Sequence, residues 1–245
     1  MGQMIKVNSD KEIEAYLAKP DSQVKGGIIV IHEVWGLVDH IKSIADRFAK
    51  EGYIALAPNL LLEIDFSSVD VTKLQQQLFD PKSRSEAQPK LRQLMTPMQD
   101  PSFGEKTTNR LEDCFNYLYN LPETHQKIAV TGFCFGGTYS YALAIKEPRL
   151  KIAFPFYGHA DQAVEELQQI SCPVRAFYGQ KDESLMASLD DLKSRMKEAN
   201  VDYDSKVYPD CGHAFFNDTN PYTYNINAAQ DSWNIVSSEL AKIMA

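Results

Sequence analysis

Short, wholly apolar runs alternate along this chain with longer stretches whose apolar residues recur every three or four positions. Residues 27–31 (GIIVI) form the first unbroken run, which predicts a strand buried on both faces. Further strands are expected at 53–57, stopped by Pro58, and at 128–131, 152–157, 174–178 and 203–208. Between them the period lengthens. Ile41, Ile44, Ala45 and Phe48 share one helical face, with Asp39 placed to cap the helix and Gly52 to end it. Leu111, Phe115, Leu118 and Leu121 mark a helix over about 105–121, with Cys114 packed beside the stripe. Helices also follow residue 134 and cover about 184–199 and 227–244. Residues 4–7 and 13–17, separated by Asn8-Ser9-Asp10, read as an antiparallel edge. Strands in alternation with helices predict the α/β class, a mostly parallel sheet with helices on both faces.

The regularity breaks over residues 59–104, which carry Pro81, Pro89, Pro97 and Pro101. So long an excursion inside a compact domain is usually a lid or pocket wall. A chain of 245 residues suits one domain spanning 1–245 with this excursion as a subregion.

Composition narrows the function. A net charge of −8 and the lack of any basic run argue against nucleic-acid and anionic-membrane partners. The first residues, MGQMIKVNSD, lack the apolar stretch of a secretory signal, and no run of eighteen apolar residues is present. Four cysteines without a C-x-x-C then read as free thiols in a reducing, cytoplasmic setting, with no metal or organic cofactor implied. His32-Glu33 begins like a zinc-protease helix, but H-E-x-x-H fails at Gly36.

The chemistry gathers at strand ends, where open α/β sheets place their active groups. After the strand at 128–131 comes Gly132-Phe133-Cys134-Phe135-Gly136-Gly137 and then an apolar helix. Strand, Gly-x-nucleophile-x-Gly, helix is the nucleophile elbow of α/β-hydrolases, here with cysteine in the place of serine. Side chains at 132 and 136 would collide in so tight a turn, and the helix N-terminus favours negative charge at residue 134. The strand at 174–178 leads to Gly179-Gln180-Lys181-Asp182, and that at 203–208 leads to Gly212-His213-Ala214-Phe215. Cys134, Asp182, His213 is the chain order of a hydrolase triad. His213 takes the thiol proton and returns it to the leaving group, while Asp182 fixes the imidazole tautomer. The backbone N–H groups of Val34 and Phe135 are the candidate oxyanion donors, each worth about 3 kcal/mol in the transition state. Glu33 sits at the mouth of this site, where a carboxylate is costly unless hydrogen-bonded. A solvated loop charge is the other reading of it.

Four islands together resemble the dienelactone hydrolase family: Ile31-His32-Glu33-Val34-Trp35-Gly36-Leu37, residues 132–137, residues 179–182, and Gly212-His213-Ala214-Phe215. The resemblance implies an enzyme that opens a lactone or cleaves a small ester through a thioester on Cys134, with Asp182 and His213 completing the triad. It also implies that Glu33 contacts the resting thiol and gives way when substrate binds. Family members that act on dienelactone grip the substrate carboxylate with two arginines. Phe216-Asn217-Asp218 stands where one of them is expected, and Arg84 or Arg92 is the candidate for the other. Trp35, Phe135, Phe215 and Phe216 make an aromatic pocket for an uncharged acyl or lactone group, or else belong to the core.

Two other classes stay open from the residues alone. One is a non-catalytic binder of a small ligand on the same fold. The other is a thiol redox sensor, for which Cys211 is the candidate resolving cysteine. The physiological substrate and the oligomeric state are not legible in the chain.

Overall fold

The computed structural model describes residues 2–7 and 12–245. Among these, eight strands form one sheet: β1 (Gln3–Val7), β2 (Ile13–Ala18), β3 (Gly26–Ile31), β4 (Tyr53–Pro58), β5 (Ile128–Phe133), β6 (Ile152–Phe156), β7 (Val174–Gly179) and β8 (Tyr203–Tyr208). Their spatial order is β1-β2-β4-β3-β5-β6-β7-β8. β1 pairs antiparallel with β2, and β2 antiparallel with β4, with Leu17 opposite Leu56. Every later pairing is parallel. The expected edge is therefore present, although its Asn8-Ser9-Asp10 connection lies outside the described residues.

Position in the sheet explains the runs read from the sequence. Every residue of β3, β4 and β5 is buried, as strands covered on both faces must be. The edge strand β8 instead alternates between exposed and half-buried positions until Tyr208. Helices α1 (Asp39–Lys50) and α8 (Ile226–Ile243) meet through Phe48 and Trp233, whose ring centroids are 4.5 Å apart. Helices α4 (Phe103–Tyr119) and α5 (Phe135–Lys146) pack together against the central strands. A short α6 (Val164–Leu167) and α7 (Glu183–Glu198) complete the cover.

Two expectations need correction. Asp39 does not cap α1; Val38 holds that position without a side-chain bond, and Asp39 is the first helical residue. The excursion is not irregular, for it contains α2 (Val71–Phe79), α3 (Arg84–Leu94) and a 3₁₀ turn at Thr96–Gln99. Asp70 caps α2 by accepting the Lys73 N–H at 2.9 Å. Leu74 and Leu78, four apart, supply its buried face, and α3 tolerates Pro89 because the helix is short and mostly exposed. The prolines outweighed a real helical period. This hairpin builds a second apolar cluster with Trp35, Leu74, Leu78, Phe79 and Ala87, distinct from the main core.

Candidate active site

Cys134 sits between β5 and α5 with φ 56° and ψ −110°, a backbone conformation in which an L residue is strained. Its N–H is bound to the Phe156 carbonyl at 3.0 Å. The turn is tight because two glycines permit it. A Cβ on Gly132 would lie 2.1 Å from the Gly136 oxygen, and one on Gly136 would lie 2.3 Å from the Ile31 oxygen. β3, β5 and α5 thus touch backbone to backbone under the sulfur.

Asp182 caps α7, with Oδ1 accepting the Leu185 N–H at 3.5 Å, and its Oδ2 lies 2.5 Å from His213 Nδ1. Burial would raise the Asp182 pKa, but the hydrogen bond and charge of His213 hold it below the ordinary carboxylate value. Burial also opposes a charge on His213. The Cys134 sulfur and Asp182 outweigh that and keep the imidazole well above its usual pKa. One aspartate therefore does two jobs: it starts a helix and holds the His213 ring.

Glu33 is 3% exposed, and burial pushes its carboxyl up to about 7. Oε2 accepts from Asn217 Nδ2 at 2.7 Å. Among the described residues, Oε1 and the buried Tyr157 hydroxyl lack a hydrogen-bond partner of ordinary geometry, and Tyr157 is raised well above its usual range by burial and then by Glu33 and Cys134. The reading of Glu33 as a solvated loop charge is thereby corrected, since the side chain is buried against Asn217 in the cavity that Cys134 also lines.

These groups open on a cavity of about 540 Å³ lined by Cys134, His213, Glu33, Val34, Trp35, Phe79 and Arg84, among others. Trp35 meets Phe79 edge-on at 6.0 Å. Arg84 donates through Nε to the Leu78 carbonyl at 2.9 Å, so it closes the C-terminal end of α2 as well as facing the pocket. Arg92 is set apart from it, eight residues and about 12 Å further along α3. Phe215 and Phe216 are core residues, not pocket residues. Ala214, at φ 61°, turns the chain inward, and Phe215 packs on Tyr157 and Tyr208 while Phe216 packs on Phe133 and Phe156. Phe135 is likewise buried, its ring against Tyr139. Its N–H is the first of α5 and, like that of Val34, has no acceptor among the described residues.

Phe79, Tyr157, Asn217, Asn220 and Thr223 were not legible as site residues. Tyr157 follows a strand end, which was a usable signal; Asn217 and the others come from loops and the hairpin, where residue type alone says nothing. Cys211, the candidate resolving thiol, is 2% exposed. No helix among the described residues is long and apolar enough to cross a membrane.

Comparison with known proteins agrees with this geometry. The model of the dienelactone hydrolase family matches residues 13–244. A Saccharolobus solfataricus protein that carries a provisional carboxymethylenebutenolidase name is 33% identical, covering 95% of each chain. A Klebsiella pneumoniae structure provisionally titled a dienelactone hydrolase superposes with a TM-score of 0.81 at 24% identity, over 99% of this chain and 98% of that one. A dienelactone hydrolase-like promiscuous phosphotriesterase from metagenomic libraries does so with a TM-score of 0.74 at 21% identity, over 99% and 98%. The resemblance and the fold read from the sequence are borne out, and the chain belongs to the dienelactone hydrolase family of α/β-hydrolases.

Proposed function

We propose that this chain hydrolyses small carboxylic esters or lactones, with Cys134 as nucleophile, His213 as base and acid, and Asp182 as its orienting partner. The observation that carries the reading is the 2.5 Å contact of His213 Nδ1 with Asp182, on a ring that lines the same cavity as the elbow cysteine. With Nδ1 held, Nε2 is the nitrogen left for proton transfer.

Attack of the Cys134 sulfur on the substrate carbonyl forms a C–S bond and places negative charge on the carbonyl oxygen. The Val34 and Phe135 N–H groups stabilise that charge. Collapse of the intermediate breaks the C–O bond, and His213 protonates the departing alkoxide, leaving a thioester. In a lactone that alkoxide stays attached and becomes the hydroxyl of a hydroxy acid. His213 then deprotonates water, which attacks the thioester, and the carboxylic acid leaves as the thiol is restored. Glu33 lines the same cavity and is held in place there by Asn217. Trp35 and Phe79 supply an apolar wall for the acyl or lactone group, and Arg84 offers a cation at its edge. Residues 1–245 act here as one hydrolase domain, with the α2–α3 hairpin as the wall.

Cys134→Ala should abolish turnover of p-nitrophenyl acetate and of simple lactones, and iodoacetamide should inactivate the protein at that one residue. Unchanged turnover by Cys134→Ala would end this mechanism.

A further inference from the structure

His32 is fully buried and its imidazole is committed on both sides to backbone. Nε2 faces the Leu60 N–H at 3.0 Å, and Nδ1 faces the Glu33 carbonyl at 2.6 Å. An N–H can only donate, so Nε2 is the acceptor and the ring proton is on Nδ1, donated to Glu33. Burial lowers the pKa of this ring to about 4, which keeps it neutral and in that one tautomer.

The carbonyl that His32 grips belongs to the peptide unit between Glu33 and Val34. In a trans peptide the C=O and N–H point in opposite directions within one plane, so a group that fixes the oxygen also fixes the N–H. The same oxygen accepts the Gly36 N–H at 3.2 Å, closing a turn in which Gly36 takes φ 76°. Two donors on the oxygen polarise the opposite N–H, which makes it a stronger donor. The imidazole also stacks on the Phe135 ring, with planes 4° apart and centroids at 5.5 Å. One side chain thus touches the Glu33–Val34 peptide and the side chain of the residue that carries the other candidate donor.

We propose that His32 is a positioning residue of the oxyanion hole: its Nδ1–H sets the plane of the Glu33–Val34 peptide and so aims the Val34 N–H at the substrate oxygen. The role rests on the reading of Cys134 as an acylated nucleophile with Val34 as one donor. It asks nothing of His32 in proton transfer, and it explains why a histidine beside Glu33 need not be a metal ligand.

An amide pair separates the two bonds of the ring. The side-chain nitrogen of Asn overlays histidine Nδ1, whereas the end of Gln overlays Nε2. His32→Asn therefore keeps the donor to Glu33 and loses the acceptor for Leu60; His32→Gln does the reverse. Both variants leave a polar group in the buried site, and thermal melts check that each is folded. With p-nitrophenyl acetate, His32→Gln should lose about 10- to 100-fold in kcat, short of the 10²–10³-fold cost of deleting a donor outright. KM should stay within about twofold, and the carbonyl stretch of the trapped acyl-enzyme should rise in frequency as its hydrogen bond weakens. His32→Asn should hold kcat within about fivefold and leave the stretch in place. Equal kcat in the two folded variants, or a stretch unmoved in His32→Gln, would overturn the assignment of His32. A wild-type protein that never acylates Cys134 would instead overturn the hydrolase reading beneath it.

Discussion

Cys134 and Trp35 line the same cavity but are held by different parts of the molecule. The cysteine stands on the join of β5 and α5, where Gly132, Gly136 and Gly137 bring backbones into direct contact and the main core lies beneath. Trp35 belongs to a small cluster with Leu74, Leu78, Phe79 and Ala87, supplied by the loop after β3 and the α2–α3 hairpin. Groups that break bonds need fixed distances, and rigid strand ends provide them. A wall that admits substrates of varied shape needs less, and a satellite cluster with its own few contacts is suited to open locally. On the proposed reading the chemistry is anchored to the sheet, and the choice of substrate is left to the hairpin.

The comparison breaks most sharply at Gly132. An alanine there puts Cβ 2.1 Å from the Gly136 oxygen and 2.7 Å from Ser140 Oγ, and the first of these is backbone with nowhere to move. Gly132→Ala should cost at least about 3 kcal/mol, the upper end of overpacking penalties, and should lose turnover along with fold. Thermal denaturation and soluble yield measure it. A variant that melts like the wild type would mean that the elbow is not the rigid element described.

Next comes Glu33, the one group of the strand-end site that weakens the fold it sits in. Its carboxyl ionises at about 7 in the folded chain against an ordinary 4.5. The unfolded chain releases this proton first as pH rises. The contribution of Glu33 is therefore fully favourable below about pH 4.5, falls between there and about pH 7, and stays reduced above. The reduction approaches about 3 kcal/mol. Glu33→Gln keeps an acceptor for Asn217 and removes the ionisation. Its thermal midpoint should match the wild type near pH 4.5 and exceed it clearly at pH 8. Melts that run parallel at both pH values would show that the carboxylate is compensated elsewhere.

Legibility followed the same division. The sheet, the parallel order and the gathering of Cys134, Asp182 and His213 at one cavity could be read because strand ends carry their own punctuation, as in Gly132-x-Cys134-x-Gly136 and the glycines beside Asp182 and His213. The hairpin is not legible as helical because the four prolines of residues 59–104 mask the Leu74–Leu78 spacing. The sequence leaves Phe215 and Phe216 open between pocket and core, because adjacency to His213 along the chain does not say where their side chains go. A single left-handed residue, Ala214, sends them into the core. Backbone conformation of that kind leaves no mark on an alanine. The partner of Glu33 was hidden for a related reason: Asn217 meets it across 184 positions of chain, and nothing local announces the pairing.

The gentlest test falls on the hairpin itself. Phe79 lines the cavity, closes α2, and packs edge-on against Trp35. Phe156 is its counterpart in the main core, 1% exposed and ringed by Phe133, Phe177 and Phe216. Phe156→Ala should cost about 3–5 kcal/mol, as buried aromatic truncations do. Phe79→Ala empties a site that the hairpin can partly refill by shifting, so its global cost should be nearer about 1–2 kcal/mol. Its signature should be kinetic. Binding of bulky apolar esters should weaken by about 5- to 10-fold in KM, roughly the worth of one lost apolar contact surface, while kcat on p-nitrophenyl acetate stays within about threefold. Melting curves together with KM and kcat for a short and a bulky ester read both quantities. Equal stability losses in the two variants, or a fall in kcat as large as the rise in KM, would mean that the wall and the catalytic frame are one cooperative body. Substrate choice could not then change through the hairpin without disturbing the chemistry.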